Sequence, residues 1–175
     1  DFRYFRRQVG LGEDVEVEER SFPGPFDYRV QAALVAPEGM PDPNTPAFLP
    51  AAARAIRELA AIPGGRTFVL CTSVRNMVAL RDALADLPWP VLLQGDRPKH
   101  RLLEAFRERP SVLFAMQSFR EGVDVPGQAL TLVRIDRLPF APPGDPVVAA
   151  RLRALAEEGR DAFSELQVPA AALAL

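Results

Sequence analysis

From Phe48 onward, short apolar runs alternate with apolar stripes spaced three and four residues apart, and this alternation limits the chain to few architectures. Phe48, Ala52, Ile56 and Leu59 share one helical face, and Pro63-Gly64-Gly65 ends that helix. Thr67–Cys71 is apolar, bounded by glycines and too short for a helix, so it reads as a buried strand. Met77, Leu80, Leu84 and Leu87 make the next helical stripe, with Arg75, Asp82 and Asp86 turned away. Val91–Leu93 is a second strand, and Arg97–Arg109 a charged helix with Leu102, Leu103 and Phe106 inward. Ser111–Met116 and Leu130–Ile135 are two further strands. A stiff loop over Pro139–Pro146, a helix over Val147–Leu155 and a helix beginning near Gly159 or Arg160 complete the pattern. Buried strands alternating with amphipathic helices predict an α/β fold: a mainly parallel sheet with helices on both faces. Ligands of such sheets bind at the carboxyl ends of the strands. The residues just after Cys71, Leu93, Met116 and Asp136 are therefore the first candidates for a site.

The first 46 residues have another pattern. Phe2, Phe5 and Val9 predict a short helix within Asp1–Leu11, which Gly10 and Gly12 stop. Val15 and Val17 alternate with Glu16 and Glu18, which predicts an exposed strand, and Val30–Val35 predicts another. Pro37–Pro46 is a proline- and glycine-rich loop. The expected organisation is a leading segment, 1–46, and an α/β domain, 47–175. The 18 prolines are about twice the usual frequency, and their clustering marks joints between elements.

Composition narrows the function classes. Hydrophobic residues make up 48% and charged residues 25%, so the chain is not disordered. No apolar run approaches the roughly 20 residues of a membrane helix, and no membrane partner is expected. The single cysteine excludes an internal disulfide and any cysteine-built zinc or iron–sulfur site within these residues, and points to the reducing cytoplasm. The net charge of −2 excludes a strongly basic nucleic-acid binder but leaves room for a local basic strip.

Several positions carry possible chemistry. Thr72 and Ser73 stand where a strand hands over to a helix, a place suited to gripping phosphate. Ser73 as a plain helix cap is the alternative. Gln117-Ser118-Phe119-Arg120-Glu121-Gly122-Val123-Asp124-Val125-Pro126-Gly127 packs polar and acidic groups around a glycine straight after a buried strand. Glu121 and Asp124 suit ribose hydroxyls or a metal-bound nucleotide better than bare phosphate; an ordinary surface turn with solvated acids is the alternative. Arg97-Pro98-Lys99-His100-Arg101 is diluted by Asp96, Glu104 and Glu108, and reads as a solvated helical face rather than a nucleic-acid strip. His100 is the sole histidine, so a histidine-based catalytic or metal site is not expected. Neither Gly-x-x-x-x-Gly-Lys-Ser/Thr nor Gly-x-Gly-x-x-Gly occurs, which argues against a self-contained nucleotide-binding enzyme.

Four stretches in one order carry a resemblance: Val69-Leu70-Cys71-Thr72-Ser73, Leu93-Gln94-Gly95, Ser118 through Gly127, and Ile135-Asp136-Arg137-Leu138-Pro139-Phe140-Ala141-Pro142-Pro143-Gly144-Asp145-Pro146. Together they resemble the second, RecA-like motor domain of DinG-like DNA helicases, relatives of XPD in helicase superfamily 2. Phe2–Leu11 and Pro25-Phe26-Asp27-Tyr28 are similar to the segments that lead into this domain. Two positions depart from the family pattern: Arg120 stands where tryptophan is usual, and Gly24 replaces a serine.

The resemblance implies roles residue by residue. Thr72, Ser73, Gln94, Gly95, Gln117 and Ser118 fall on the DNA side, and Glu121, Gly122 and Asp124 on the nucleotide side, with Asp124 near the ribose. It implies ATP with Mg²⁺, shared with a first motor domain that carries the phosphate loop and, in many members, an iron–sulfur cluster upstream. It also implies single-stranded DNA as partner and a Gln-x-x-Gly-Arg-x-x-Arg motif after 170–175. The implied function is ATP-driven strand translocation and duplex unwinding in repair or replication, with residues 1–175 inactive alone. A non-catalytic nucleic-acid-binding or protein-interaction domain that keeps this fold is the alternative.

Overall fold

A computed structural model describes residues 2–12, 14–141 and 144–174; Asp1, Pro142, Pro143 and Leu175, which belong to segments read above, lie outside them, as does the side chain of Arg120. Within the described residues the helices are α1 (Arg3–Gln8), α2 (Tyr28–Gln31), α3 (Phe48–Ala61), α4 (Val74–Ala83), α5 (Lys99–Glu108), α6 (Pro146–Glu157) and α7 (Val168–Leu173). The strands are β1 (Thr67–Cys71), β2 (Val91–Leu93), β3 (Val112–Met116) and β4 (Leu132–Ile135). The chain divides into two compact units, Asp1–Glu38 with Phe140–Leu175, and Gly39–Pro139.

The unit Gly39–Pro139 holds the sheet. Its four strands are all parallel in the order β2-β3-β1-β4. The expected strand over Thr67–Cys71 forms between those limits, and every residue of it is buried. Burial on both faces explains why it reads as a continuous apolar run rather than an alternating one. Val69, Cys71, Val112 and Phe114 pack against α3 and α4 through Phe48, Ala52, Ile56, Met77, Leu80 and Leu84. Phe68, Leu70, Leu113 and Ala115 face the other way, onto Leu102, Leu103 and Phe106 of α5. The chain moves one way across the sheet from β1 to β2 and back again from β2 to β3. Right-handed crossovers in opposite directions require helices on opposite faces, which is where α4 and α5 lie.

At the start of β1 the chain turns through Gly65, whose φ is +91°. A Cβ there would stand 3.0 Å from Cγ of Trp89 and 3.2 Å from the Ser111 backbone nitrogen. Trp89 packs against the α3–α4 side of the core, under this turn. Gly65→Ala therefore combines a disfavoured backbone region with a clash and should destabilise the unit by about 2 kcal/mol. Urea unfolding checks this; a change near zero would contradict the close packing.

Within residues 1–46 the expected short helix forms as α1, and the two expected strands do not. No strand forms at Val15 and Val17 or over Val30–Val35. Asp27 accepts a hydrogen bond from the Arg29 amide at 3.1 Å and caps the single helical turn α2, after which the chain is irregular. The physical reason is the lack of a partner: an alternating pattern makes a strand only against a sheet edge. Val30 and Leu34 are 82% and 97% exposed. In the unit that joins the two ends of the chain, Asp145 caps α6 by accepting from the Val147 and Val148 amides, and Arg7 pairs with Glu165 at 2.9 Å.

Candidate functional site

The first residue after each strand carries a polar side chain, and these side chains tie the carboxyl edge of the sheet together. Gln94, after β2, accepts from the Met116 amide through Oε1 at 2.8 Å. Gln117, after β3, donates from Nε2 to the Arg137 carbonyl at 2.7 Å. Thr72, after β1, donates from its amide to Asp136 Oδ1 at 3.0 Å, and its hydroxyl lies 3.4 Å from Oδ2. Asp136 is the first residue after β4. The parallel register that sets Leu70 beside Ile135 brings Thr72 to its carboxylate. Arg137 then donates to the Pro43 carbonyl at 2.8 Å, fastening the proline-rich loop to the end of β4.

These ties also assign tasks within the fold. Ser73 Oγ accepts from the Asn76 amide at 3.4 Å and caps α4, so the capping alternative holds for that hydroxyl. Burial pushes the Asp136 carboxyl above the usual carboxylate range, against the opposing pull of the Thr72 amide, Arg134 and Arg137. Burial likewise lowers the affinity of the Arg134 guanidinium for its proton, with Asp136 opposing. An acid held above its unfolded pKa binds protons more tightly when folded. It therefore adds stability at low pH that is lost as pH rises from ~3.9 through the folded value. The stability of the native chain relative to Asp136→Asn should fall with pH across that window in urea titrations. A rising difference would contradict the sign.

Between the ends of β2 and β3 lies a cleft of about 320 Å³, lined by Gln94, Gly95, Arg97, Lys99, Leu102, Ser118 and Phe119. It gathers three of the expected DNA-side residues, Gln94, Gly95 and Ser118; Thr72, Ser73 and Gln117 stand outside its lining. It also adds two cations from the stretch read as a solvated face. The helix start at α5 turns Lys99 toward the cleft, a placement that the alternation of basic and acidic residues in the sequence does not reveal.

The expected nucleotide-side residues come directly after this cleft in the chain. A short 3₁₀ turn, Gln117–Arg120, buries Phe119 edge-on against Phe68, with ring centroids 6.1 Å apart. Lys99 Nζ lies 5.0 Å above the Phe119 ring and donates to the Glu121 carbonyl at 2.6 Å. Gly122 takes φ +64°, which only a residue without Cβ adopts freely. The Asp124 carbonyl accepts from Arg107 Nη2. Both acids are exposed, and among the described residues neither carboxylate has a hydrogen-bond or ion-pair partner. Arg107 was not among the expected residues, because nothing in a helical charge pattern shows which loop its end will reach.

The arrangement thus offers donors and cations in a cleft that Phe119 lines, and two exposed carboxylates in the loop that follows it. The family model described as helicase C-terminal domain matches residues 56–175. Over 177 residues the chain is 38% identical to ATP-dependent DNA helicase YoaA of Escherichia coli (strain K12), covering 100% of this chain and 27% of that protein. Over 122 residues it is 43% identical to ATP-dependent helicase DinG of Mycobacterium tuberculosis (strain ATCC 25177 / H37Ra), covering 69% and 18%. Over 181 residues it is 32% identical to ATP-dependent DNA helicase DinG of Photobacterium profundum, covering 97% and 26%. The chain spans about a quarter of the length of the first of these relatives. A parallel α/β sheet with helices on both faces, matched from α3 through every strand to residue 175, bears out the resemblance in its motifs: the chain belongs to the helicase C-terminal domain family, among the DinG-like members of superfamily 2.

Proposed function

We propose that this chain is the second motor domain of an ATP-dependent DNA helicase that couples ATP hydrolysis to single-strand translocation and duplex unwinding in DNA repair or replication. The observation that carries this is the shared sheet edge, where the cleft holding Gln94, Gly95 and Ser118 adjoins the Glu121–Asp124 loop. The names of its relatives, ATP-dependent DNA helicases, support it. Gln94, Gly95 and Ser118, with Arg97 beside them, meet the phosphates of a single strand. Thr72, Ser73 and Gln117 extend that DNA side along the edge. Glu121, Gly122 and Asp124 form the nucleotide side, where carboxylates accept hydrogen bonds from ribose hydroxyls.

ATP arrives with Mg²⁺ on a first motor domain, and hydrolysis supplies the free energy of movement. Among the described residues no group of three or more His, Cys, Asp or Glu side chains is placed to hold a metal ion. No helix among the described residues is long and apolar enough to cross a membrane. This reading places the protein in the cytoplasm, on DNA.

The test compares two variants in a helicase carrying this domain. Asp124→Ala leaves the carbonyl held by Arg107 in place and removes only the free carboxylate. DNA-stimulated ATP hydrolysis should fall about tenfold or more, the worth of a charge-assisted hydrogen bond. Ser73→Ala should cost about 1 kcal/mol of stability as a lost cap and lower that turnover less than Asp124→Ala does. Equal and small effects on turnover would refute the assignment of sides.

A further inference from the structure

Helix α5 holds the nucleotide-side loop at two points. Lys99, its first residue, donates to the Glu121 carbonyl, and Arg107, one residue from its end, donates to the Asp124 carbonyl. Eight residues of helix span about 12 Å, and the three-residue step from Glu121 to Asp124 spans at most about 11 Å. The two anchors are therefore close enough to hold both ends of the loop at once, with the positive-φ Gly122 between them. Only carbonyls are engaged. Among the described residues the amides of Gly122, Val123 and Asp124 and both carboxylates have no partner. Helix stability does not account for Lys99, since the dipole disfavours a cation in the first turn.

Resting on the assignment of sides above, we propose that Lys99 and Arg107 are positioning residues that hold Glu121–Asp124 open toward the nucleotide, and that Lys99 links the loop to the strand cleft. Lys99 is the shared member: it lines the cleft with Gln94, Arg97 and Ser118 and reaches the loop with the same ammonium. An ammonium has three donors, so a strand phosphate entering the cleft competes for Lys99 or draws it along. Either way the Glu121 carbonyl registers whether the cleft is filled.

The test uses the 175-residue chain, ¹⁵N relaxation and titration. Lys99→Met keeps the aliphatic stem over Phe119 and removes the donors; Arg107→Met does the same at the other anchor. Order parameters of the Gly122–Asp124 amides should drop from about 0.85 toward 0.6 or below in each variant, with thermal midpoints close to the parent. Lys99→Arg should restore them. Unchanged order parameters, or no restoration by Lys99→Arg, would overturn the positioning role. Oligothymidylate should then shift the Gly122 amide in the parent and at least about tenfold less in Lys99→Met. Shifts at Gln94 and Ser118 without one at Gly122 would overturn the link. Shifts at none of these would overturn the strand reading, and the relaxation data would still decide the anchors by themselves.

Discussion

Phe114→Ala is expected to destabilise the Gly39–Pro139 unit by about 3–5 kcal/mol, with a fall in thermal midpoint of about 10 °C. Phe114 sits in the middle of β3, fully buried, with Val69 and Leu93 as its register neighbours. It faces the side of the sheet covered by α3 and α4. Truncation leaves a void at the junction of three strands and two helices, where close packing on every side limits collapse. Phe22, 80% exposed, is the control: Phe22→Ala should change stability by less than about 0.5 kcal/mol. Urea unfolding monitored by circular dichroism checks both. Similar losses from the two variants would mean that the sheet is not the stabilising core.

Cys71 should be inert to alkylation in the native chain and reactive once the chain is unfolded, with rates differing by about 10³-fold or more. Burial pushes its thiol up to about 12, with Asp136 adding to the rise and Arg134 opposing it. Only the thiolate attacks, and an ordinary cysteine titrates near ~8.5. The residue ends β1 with no exposed surface, so steric access falls together with ionisation. Iodoacetamide labelling read by mass spectrometry, with and without urea, measures the ratio. Fast native labelling would mean that the carboxyl edge of the sheet opens, and with it the ties between Thr72 and Asp136.

Both experiments probe one design. Four strand ends carry polar side chains that bond to their neighbours, so the fold itself ties this edge together. Gln94, Gln117 and Thr72 provide these bonds with groups that the family resemblance assigns to the DNA side. On the reading proposed here the two tasks are compatible. A side chain held by the fold presents its remaining donors and acceptors in fixed positions, which lowers the entropy cost of binding.

The four strands and α3 to α5 were legible in the sequence, because each depends on a short repeating pattern of apolar residues that burial enforces. Thr67–Cys71 and Val91–Leu93 form between the expected limits for that reason. Val30–Val35 carries a similar pattern and forms no strand, because strand formation is a property of a pair and no strand pairs with this segment among the described residues. The motifs likewise identified the family, since Glu121 through Gly127 and Leu138 through Pro146 preserve residue order as well as type. What only the tertiary structure decided is which distant groups meet. Lys99 and Arg107 sit in a helix that mixes basic and acidic residues, and nothing local separates them from Arg101 or Arg109. Parallel register and the placement of α5 across the sheet from α4 bring those two to the Glu121–Asp124 loop. Local periodicity determines elements because a helix or strand senses neighbours a few residues away; contacts across about 20 residues depend on strand order, which the pattern of a single segment does not contain.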